Sequence, residues 1–540
     1  MKSNLKRPNP NSFIKALLLG VLFSSFLASC NKDTSSAVDL PSGDATLSID
    51  VAGIDDEDDG GKESRASVSK TSVMSSVEGE ILNSKEVSFE GLDAIVSTSK
   101  GLKGERRVVV ADNKTGKSSS EKRAFMMVPG VNYRILLYLN GTFVKSIAAQ
   151  SGVATHVEVQ KDVEYDWYAF SFNSVYPIPD VSNTGAPTID SETDRPLLYA
   201  SGKVMVTGEG VVDKPLRIQF AHRTARVSAE ISARGLFAGI QSVEATFENP
   251  DYIKKGTLNL LTGQYDNISS VALGNLNFVS STTAAKDTLK VVQYYTAGQG
   301  TGSQIKINVK TLTLKLDLGD TRVFSNLTFS DNLDLNWGYR RHMFLDLIET
   351  PLTVNGVKWA RTNLYFSQAD RAYRFRHQIH DPYNRSTEEY WNYKAPFPNG
   401  TIGAQDPCTL VYPINKWRMP NGDEIDNLIG VKDSRRTLHA DYVEYTATGT
   451  AAPYPSNKLR INKMGYYNIA LGIFGLLSDD KQDGYFWSTD TGFLGGAITG
   501  VNGYRVSDNR EFLVTGDYVY KHHALSSWGG TENVRCVRNE

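Results

Sequence analysis

Alternation of apolar and polar residues predicts that most of the chain folds as β-strands. Between about Glu78 and Glu349, short alternating runs such as Leu216, Ile218 and Phe220 are separated by polar turns. No run in this part of the sequence has the helical period that an α/β domain needs. Many short strands with regular turns are typical of β-sandwiches, so the pattern predicts a mainly β fold.

Two local features add detail to that prediction. Asn140 and Gly141 separate two apolar runs, and Asn-Gly favours the type I′ turn of a β-hairpin. In the stretch 305–318, the apolar positions are odd-numbered from Ile305 to Val309 and even-numbered from Leu312 to Leu318. Because side chains alternate between the faces of a sheet, this slip predicts either a β-bulge at residues 310–311 or a strand that crosses between sheets.

A separate short strand is predicted ahead of this region. Apolar and polar residues alternate over residues 45–51, and the apolar members are Ala45, Leu47, Ile49 and Val51. An acidic run with two glycines follows at residues 55–65 and should be solvated and accessible to proteases. A trypsin-like protease would cut after Lys62 or Arg65, and the second cut would leave a chain that begins at Ala66. An acidic linker that tethers the first domain is the alternative interpretation.

The first thirty residues have the pattern of an export signal. Basic residues up to Lys15 precede an apolar run at residues 16–26, which is too short to span a bilayer. The next residues, Leu27-Ala28-Ser29-Cys30, resemble a bacterial lipobox. That resemblance implies cleavage before Cys30 and attachment of lipid, palmitate included, to this cysteine, which would anchor the protein to a membrane. An ordinary signal peptide with a chance cysteine is the alternative.

Two strings in the second half of the β-rich region carry a family resemblance. They are Leu-Leu-Tyr-Ala-Ser-Gly at residues 197–202 and a longer string at residues 216–227, which contains Phe-Ala-His and Ala-Arg-Val. With the lipobox, the alternating strand and the Arg-containing loop, they resemble the fimbrillin family of Bacteroidia type V fimbriae. His222 and Arg226 lie in the longer string and are interpreted as structural residues.

The fimbrillin resemblance implies a mechanism of assembly. Such subunits reach the surface as lipoproteins, and an Arg-specific protease then removes the first strand together with the lipid. The sandwich is left with an open groove, which a strand of another subunit fills by donor-strand exchange. On this sequence, the removed strand is residues 45–51 and the scissile bond is Arg65–Ala66.

Residue 350 marks a change in character, because the sequence after it is richer in aromatic residues. The spacing of Ile425, Leu428 and Ile429 predicts a short helix at residues 423–429. Motifs at residues 357–361, 406–408, 417–420, 484–489 and 534–538 resemble a paralogous family first noted in Fibrobacter, which has a C-type-lectin-like fold. The resemblance covers most of residues 351–540 and implies an α+β domain.

The predicted organisation is two tandem transthyretin-like, fimbrillin-type β-sandwiches followed by a C-type-lectin-like α+β domain. The segments are a lipoprotein signal peptide (1–29), a propeptide with the detachable strand (30–65), an N-terminal sandwich (66–195), a second sandwich (196–350) and the lectin-like domain (351–540).

Cysteine usage favours a structural role over a catalytic one. Cys408 and Cys536 are the only cysteines besides Cys30, and export to an oxidising compartment predicts that they form a disulfide bond. Two free buried thiols are the alternative, and a cysteine nucleophile of the formylglycine-generating type lacks an assignable acid–base partner. The sequence contains no Gly-x-Ser-x-Gly, His-Glu-x-x-His or phosphate-binding loop. We therefore expect no catalytic residue, no cofactor and no metal site.

Aromatic residues are the candidate binding residues of the C-terminal segment. The tripeptides Glu-Pro-Asn and Gln-Pro-Asp, which mark the calcium-dependent sugar sites of C-type lectins, are absent, so that activity does not carry over. Aromatic side chains at an exposed tip would instead contact a protein or glycan partner. The candidates are Tyr373, Tyr383, Tyr390 and Trp391.

The charge balance excludes one class of partner. With 58 basic and 60 acidic residues and no dominant basic block, the chain does not have the electrostatic pattern of a nucleic-acid-binding protein. Residues 30–65 carry three basic and ten acidic side chains, so their removal would shift the formal charge of the exported chain from −6 to +1.

Together these features predict an accessory tip component of a cell-surface fimbria that contributes to adhesion and biofilm formation. A folded domain of about 190 residues after the second sandwich cannot lie in the groove of a neighbour, so the subunit would accept a strand and donate none. Its expected partners are other fimbrial subunits, a host or bacterial surface ligand, and the outer membrane before maturation. The alternative is an anchored surface lipoprotein that binds glycan or protein and does not polymerise.

Overall fold

The structure, a computed structural model, has a mainly β fold, which confirms the predicted secondary-structure class. It describes residues 44–55, 78–102, 107–109, 123–281, 286–317, 319–377, 387–447, 457–470, 473–478, 483–491, 500–507, 519–525 and 530–539. Within these ranges, no helix combines the length and the apolar character that crossing a membrane requires.

The strands before residue 240 begin with the predicted separate strand. They are β1 (Ala45–Asp55), β2 (Glu78–Phe89), β3 (Leu92–Leu102), β4 (Arg107–Val109), β5 (Arg123–Phe125), β6 (Asn132–Leu139), β7 (Thr142–Gln150), β8 (Thr155–Val159), β9 (Val163–Ser171), β10 (Thr188–Asp190), β11 (Leu198–Val206), β12 (Val212–His222) and β13 (Ala225–Gly235).

The next strands include two long ones. They are β14 (Gly239–Phe247), β15 (Lys254–Asn259), β16 (Gln264–Ser270), β17 (Val279–Ser280), β18 (Leu289–Thr296), β19 (Gly300–Lys315), β20 (Thr321–Leu335) and β21 (Arg340–Glu349), with a short 3₁₀ helix at Pro250–Tyr252.

The elements after Glu349 are shorter. They are β22 (Leu352–Val354), β23 (Val357–Trp359), β24 (Leu364–Ser367), β25 (Ala372–Phe375), β26 (Trp417–Arg418), α1 (Gly422–Ile429), β27 (Arg436–Leu438), β28 (Tyr442–Thr446), β29 (Lys458–Asn462), β30 (Tyr466–Ala470), β31 (Ile473–Ser478), β32 (Asp483–Thr491), β33 (Gly500–Ser507), β34 (Val519–Leu525), β35 (Gly530–Thr531) and β36 (Val537–Arg538). Further 3₁₀ helices lie at Thr387–Glu389 and Pro407–Leu410.

The first core lies inside a sheet with the strand order β4-β5-β1-β12-β11-β9-β6-β7, in which β8 also pairs with β1. Strand β12 pairs with β1 over residues 212–220 and with β11 over residues 221–222, so it links two parts of this sheet. Side chains from both parts pack together, which is consistent with a β-sandwich. They include Leu47, Ile135, Trp167, Leu198 and Ile218.

The first sheet is also covered on its other face. In β6 every residue from Tyr133 to Tyr138 is buried, so this strand lacks the alternation of a half-exposed strand. Leu136 and Tyr138 pack with Leu258 and Leu260, at the end of β15. A strand with both faces covered has a continuous apolar run, as this one does.

The second core lies between a sheet with the order β17-β18-β13-β21-β3-β2 and a sheet with the order β14-β19-β20. Val96, Val227 and Leu345 of one sheet pack with Ile307 and Phe329 of the other.

The predicted irregularity in β19 is a β-bulge. Opposite β14, Val309 pairs with Ala245 and Thr311 pairs with Glu244, so Lys310 is the extra residue. One strand continues through both stretches, so the chain does not cross between sheets at this point.

The two cores are interleaved along the chain. Strands β2 and β3 lie beside β21 in the second core, whereas β11 and β12 belong to the sheet of the first core. The predicted division between residues 66–195 and 196–350 therefore does not separate the two cores. Alternation shows which face of a strand is buried, but it does not show which strand pairs with it.

The C-terminal residues form small sheets and one described α-helix. The sheets are β22-β23-β36-β26, β24-β25, β27-β28-β29, β31-β30-β35 and β32-β33-β34. Helix α1 begins one residue before the predicted helix and has a capping box. The Asn421 side chain accepts a hydrogen bond from the Glu424 amide, and the Glu424 carboxylate accepts one from the Asn421 amide. Ile425 and Leu428 anchor the helix to a buried cluster that includes Trp359.

Ion pairs attach the C-terminal residues to the strands of the second core. The Arg538 side chain is 2% exposed and its Nη1 lies 3.0 Å from Glu86 Oε1. Arg374, also 2% exposed, has its Nη2 2.5 Å from Asp317 Oδ2. Partial burial alone would raise the pKa of Asp317, but His377 and Arg374 outweigh it and hold that pKa below its usual range. Both arginines are buried, and each also pairs with a second carboxylate, Arg538 with Asp93 and Arg374 with Asp370, so these contacts hold the two parts together.

Candidate functional site

Strand β1 is paired along both edges. On one side it runs parallel to β12, with Ala45 opposite Val212 and Ile54 opposite Phe220. On the other side it runs antiparallel to β8, with Ala45 opposite Val159. We call the space that β1 fills between β8 and β12 the β1 groove. Removal of β1 would leave the backbone donors and acceptors on both walls of this groove without their partners.

The inward face of β1 is part of the first core. Ala45, Leu47 and Ile49 are buried, as the alternation predicts, and Leu47 is 0% exposed. Complete burial of a side chain of this size contributes about 1.5–3 kcal/mol relative to leaving it in water. The walls and floor of the groove are apolar, and they include Val157, Val159, Val212, Leu216 and Ile218.

The alternation of β1 changes after its middle. Val51, the fourth predicted inward residue, is half-buried and packs against the first core, and the next core side chain after it is Ile54. The reason is a register shift between Val51 and Gly53 against β12, which makes Ala52 an extra residue. A bulge of this kind reverses the face on which the subsequent side chains lie.

The outward face of β1 makes polar contacts with both walls. Ser48 Oγ lies 2.5 Å from Asp213 Oδ1 and 3.0 Å from His156 Nδ1. A hydroxyl has one proton to donate, and Asp213 accepts it, so His156 Nδ1 is the donor to Ser48 Oγ. Further along the strand, Gln219 Nε2 donates to Asp55 Oδ1 at 2.8 Å.

Tyr133 is a buried tyrosine whose surroundings include a residue of β1. It is 1% exposed, and its ring packs edge-on against Phe220 with the centroids 6.0 Å apart. Burial raises the pKa of Tyr133 to about 12, and the nearby Asp50 carboxylate contributes to the increase. The tyrosine therefore stays neutral, and its environment depends in part on β1.

The predicted lipidation and cleavage residues lie outside the described residues. These are Cys30, Lys62, Arg65 and Ala66. The description of β1 ends at Asp55 and that of the chain resumes at Glu78.

The C-terminal cysteines form a disulfide bond, with their Cα atoms 5.8 Å apart. Both are buried, and Cys408 lies in a 3₁₀ helix capped by Asp406, whose Oδ1 accepts from the Cys408 amide at 2.9 Å. With both sulfurs in one bond, neither Cys408 nor Cys536 is a free thiol. Among the described residues, no group of three or more His, Cys, Asp or Glu side chains could hold a metal ion.

Residues 530–539 are built into the C-terminal region. Val534 and Val537 are each 1% exposed. Arg535 is also buried, and its guanidinium donates to Asn363 Oδ1 at 3.0 Å and to the Ala360 carbonyl at 3.1 Å. This segment could not leave as a free strand without breaking the disulfide and opening the surrounding core.

The prediction that Tyr390 and Trp391 contact a ligand is wrong, because both side chains are 0% exposed. Tyr390 Oη donates to the Met464 carbonyl at 2.7 Å, and Trp391 Nε1 donates to the Leu364 carbonyl at 3.2 Å. Their aromatic rings pack in the core of the C-terminal region. Tyr383 lies outside the described residues.

Tyr373, one of the predicted candidates, belongs to a small aromatic cluster at the surface, and the sequence pattern did not single out the most exposed member of this cluster, Phe397. Tyr373 is half-buried, and its ring stacks on Phe397 with the centroids 6.1 Å apart. Phe397 is 52% exposed and also packs edge-on against Phe366. Proline residues on both sides of Phe397 were the available signal, since they favour an extended loop over a buried strand.

Comparisons with known proteins give only distant matches. No protein-family model and no curated protein matches the chain. A proposed cell adhesion protein from Bacteroides uniformis is 11% identical, with a TM-score of 0.23, over 38% of this chain and 91% of the other. The fimbrial anchor protein of Porphyromonas gingivalis is 11% identical, with a TM-score of 0.22, over 38% of this chain and 74% of the other.

A third match is a proposed cell adhesion protein from Bacteroides eggerthii, 10% identical with a TM-score of 0.26, over 57% of this chain and 88% of the other. At these identities and TM-scores, the likeness does not establish the function of this chain.

Proposed function

We propose that the protein is an accessory tip subunit of a cell-surface fimbria that is assembled by protease-triggered donor-strand exchange and contributes to adhesion and biofilm formation. The observation that carries the proposal is the position of β1, which lies between β8 and β12 and contributes Leu47 and Ile49 to the first core. In this proposal the two cores belong to transthyretin-like, fimbrillin-type sandwiches.

The proposed maturation starts from an outer-membrane lipoprotein. Lipid on Cys30 holds the exported precursor at the membrane while β1 fills its groove. Cleavage between Arg65 and Ala66 separates β1 from the rest of the chain, so that only non-covalent contacts retain it. A strand of another fimbrial subunit then replaces β1 and restores the backbone hydrogen bonds on both walls.

An empty β1 groove is unfavourable in free energy, so loss of one strand favours its replacement by another. Loss of β1 exposes the apolar walls, and each fully buried residue the size of Leu47 accounts for about 1.5–3 kcal/mol. Before cleavage, the chain itself holds β1 beside the groove at a high effective concentration, and cleavage removes this advantage over a strand of another subunit. Cleavage therefore favours exchange toward the strand of a neighbouring subunit.

The proposed position at the tip follows from residues 530–539. A stalk subunit must donate a strand, whereas Cys536 is disulfide-bonded and Val534 and Val537 are buried in the C-terminal region. A subunit that accepts a strand and donates none terminates the polymer. Among fimbrial subunits, the size and order of segments most resemble those of the accessory subunit FimE of the Porphyromonas major fimbriae.

The C-terminal region, residues 351–540, is proposed to be a C-type-lectin-like domain that presents the adhesive or partner-binding face. Tyr373 and Phe397 are its candidate contacts, since they combine aromatic surface with exposure. The proposed partners are a protein or glycan on a host or bacterial surface. The proposal includes no catalytic activity and no cofactor.

The test replaces the proposed cleavage site in the native host. The variant Arg65→Ala, and the double variant with Lys62→Ala to remove the second site, should retain β1 and remain lipidated at the membrane. Mass spectrometry of the mature N-terminus and immunodetection in purified fibres are the readouts, with Arg123→Ala as a control that leaves the loop intact. Normal incorporation of the double variant into fibres would contradict maturation by cleavage at this site, whereas a lipidated Cys30 in the mature wild-type protein would favour an anchored lipoprotein that does not polymerise.

A further inference from the structure

The outward face of β1 has one side chain that bridges both walls of the β1 groove. Ser48 lies directly opposite His156 on β8, and Asp213 projects from β12 two positions before the residue opposite Ser48. Ser48 Oγ donates to Asp213 Oδ1 at 2.5 Å and accepts from His156 Nδ1, 3.0 Å away. A single hydroxyl therefore serves a carboxylate on one wall and an imidazole on the other.

Asp213 and His156 belong to the groove and stay behind when β1 leaves. Their separation is set by the width of one strand, so any strand that takes the place of β1 puts a side chain between them. A serine or threonine at that position reproduces both hydrogen bonds, because its hydroxyl can donate and accept at the same time. An aliphatic side chain would make neither hydrogen bond and would leave the exposed Asp213 and His156 side chains to water.

The inward side of the groove adds a second requirement. Ala45 is buried at the start of the strand, and the larger Leu47 and Ile49 follow on the same face. An occupant of the same register therefore carries a small residue, then two larger apolar residues at alternate positions, with the bridging residue between the last two.

We propose that Asp213 and His156 select the donor strand by requiring a serine or threonine at the position that Ser48 occupies. The inference rests on the proposed function and names the chemistry of the partner: a strand with the order small, any, apolar, hydroxyl, apolar. Because these contacts are exposed to solvent, a strand without the hydroxyl still binds, but more weakly. Loss of the hydroxyl is expected to weaken binding by about three- to tenfold.

The experiment uses the full chain after cleavage by an Arg-specific protease. Fluorescent peptides with the sequence of residues 44–55 compete with the retained β1, and polarisation measures their uptake. The matched pair is Ser48→Thr, which keeps the hydroxyl, and Ser48→Val, which has the same shape without it. The control pair is Thr46 and Thr46→Val, because the Thr46 side chain makes no hydrogen bond among the described residues.

The expected result is that the threonine peptide binds about as well as the serine peptide, whereas the valine peptide binds about three- to tenfold more weakly. The Thr46→Val change should have less than a twofold effect. In protein carrying Asp213→Ala, the difference between the threonine and valine peptides should shrink below twofold, and Asp213→Asn should restore part of it.

Equal binding of the threonine and valine peptides to the wild-type groove would overturn the selection by Asp213 and His156 while leaving donor-strand exchange intact. Failure of every peptide to enter the groove of the cleaved protein would contradict the exchange mechanism itself, and with it this inference. The two failures are therefore distinguishable on wild-type protein, without depending on the folding of any variant.

Discussion

At the scale of single residues, Leu47 contributes much of the attachment of β1 to the first core. It is 0% exposed and lies among apolar residues of the groove walls. We expect Leu47→Ala to lower the free energy of unfolding of the first core by about 2–5 kcal/mol, because it removes buried methyl groups and leaves a cavity. Denaturant titration of the intact chain measures the effect.

The matched control for Leu47 is its neighbour Thr46, on the opposite face of the same strand. Thr46→Ala should change the free energy of unfolding by less than about 1 kcal/mol. Similar small effects of both substitutions would mean that β1 does not pack into the first core as described.

His342 gives the second core a predictable dependence on pH. It is 1% exposed, its Nδ1 lies 2.7 Å from Ser228 Oγ, and burial, with a contribution from Arg226, lowers its pKa to about 4. Between about pH 6.5 and 4 the unfolded chain binds a proton at this residue and the folded chain does not. The free energy of unfolding should therefore decrease as the pH falls through this range.

Denaturation midpoints at several pH values between about 7 and 4 check this expectation. The variant His342→Gln cannot titrate and should show a shallower decrease than the wild type. Burial also lowers the pKa of His222 to about 4, so this residue titrates in the same range. Part of the decrease in the free energy of unfolding should therefore remain in the variant. An unchanged slope in the variant would contradict the assignment to His342.

Residue types alone predicted the inward face of β1 but not the surface aromatics. Alternation located the inward residues from Ala45 to Val51 correctly because they lie before the bulge at Ala52. Aromatic residues have the same hydrophobic character whether they fill a core or an exposed site. Residue type alone therefore could not distinguish the buried Trp391 from the half-exposed Phe397, which only its flanking prolines set apart.

At the scale of elements, strand pairing was less predictable than strand existence. The bulge in β19 could be located because a change in parity is visible in the sequence. The sequence could not predict that β2 and β3 belong to the sheet of the second core, since period-two alternation is the same whichever neighbour a strand has. The β1 groove depends on this long-range pairing, because its walls come from residues 155–159 and 212–222.

Hydrogen exchange of the groove walls tests the pairing of β1 directly. In the intact chain, amides of β8 and β12 that bond to β1 should be protected. After protease cleavage and removal of the peptide, these amides should exchange faster, while those of β13 in the second core should not change. Unchanged protection of both walls after removal of β1 would contradict the described register.

The disulfide bond should stabilise the C-terminal region selectively. It closes a sequence separation of 128 residues, and loss of a bond of this kind typically costs about 2–5 kcal/mol. The double variant Cys408→Ser with Cys536→Ser should increase hydrogen exchange and protease sensitivity in residues 530–539. Strands β1, β8 and β12 serve as the internal control, and equal loss of protection there would contradict a local effect.

At the scale of the whole molecule, the proposed function combines two parts. Strand β1 of the first core is replaced, whereas the C-terminal segment, residues 530–539, stays in place. Ion pairs such as that of the buried Arg538 with the partly exposed Glu86 attach that segment to the second core. Removal of residues 30–65 would also shift the formal charge of the exported chain from −6 to +1. In the proposed function, the first core accepts a strand of another subunit and the C-terminal region presents the binding face.

The central claim is that β1 leaves its groove during maturation and that a strand of another subunit replaces it. The most direct measurement places a photo-crosslinking amino acid at Glu158, on the β8 wall opposite Thr46, and identifies the crosslinked peptide in purified fibres by mass spectrometry. The account predicts a peptide from a different subunit, with serine or threonine near the crosslinked position. Recovery of residues 44–55 of the same chain, still covalently joined to residue 66 and beyond, would contradict it.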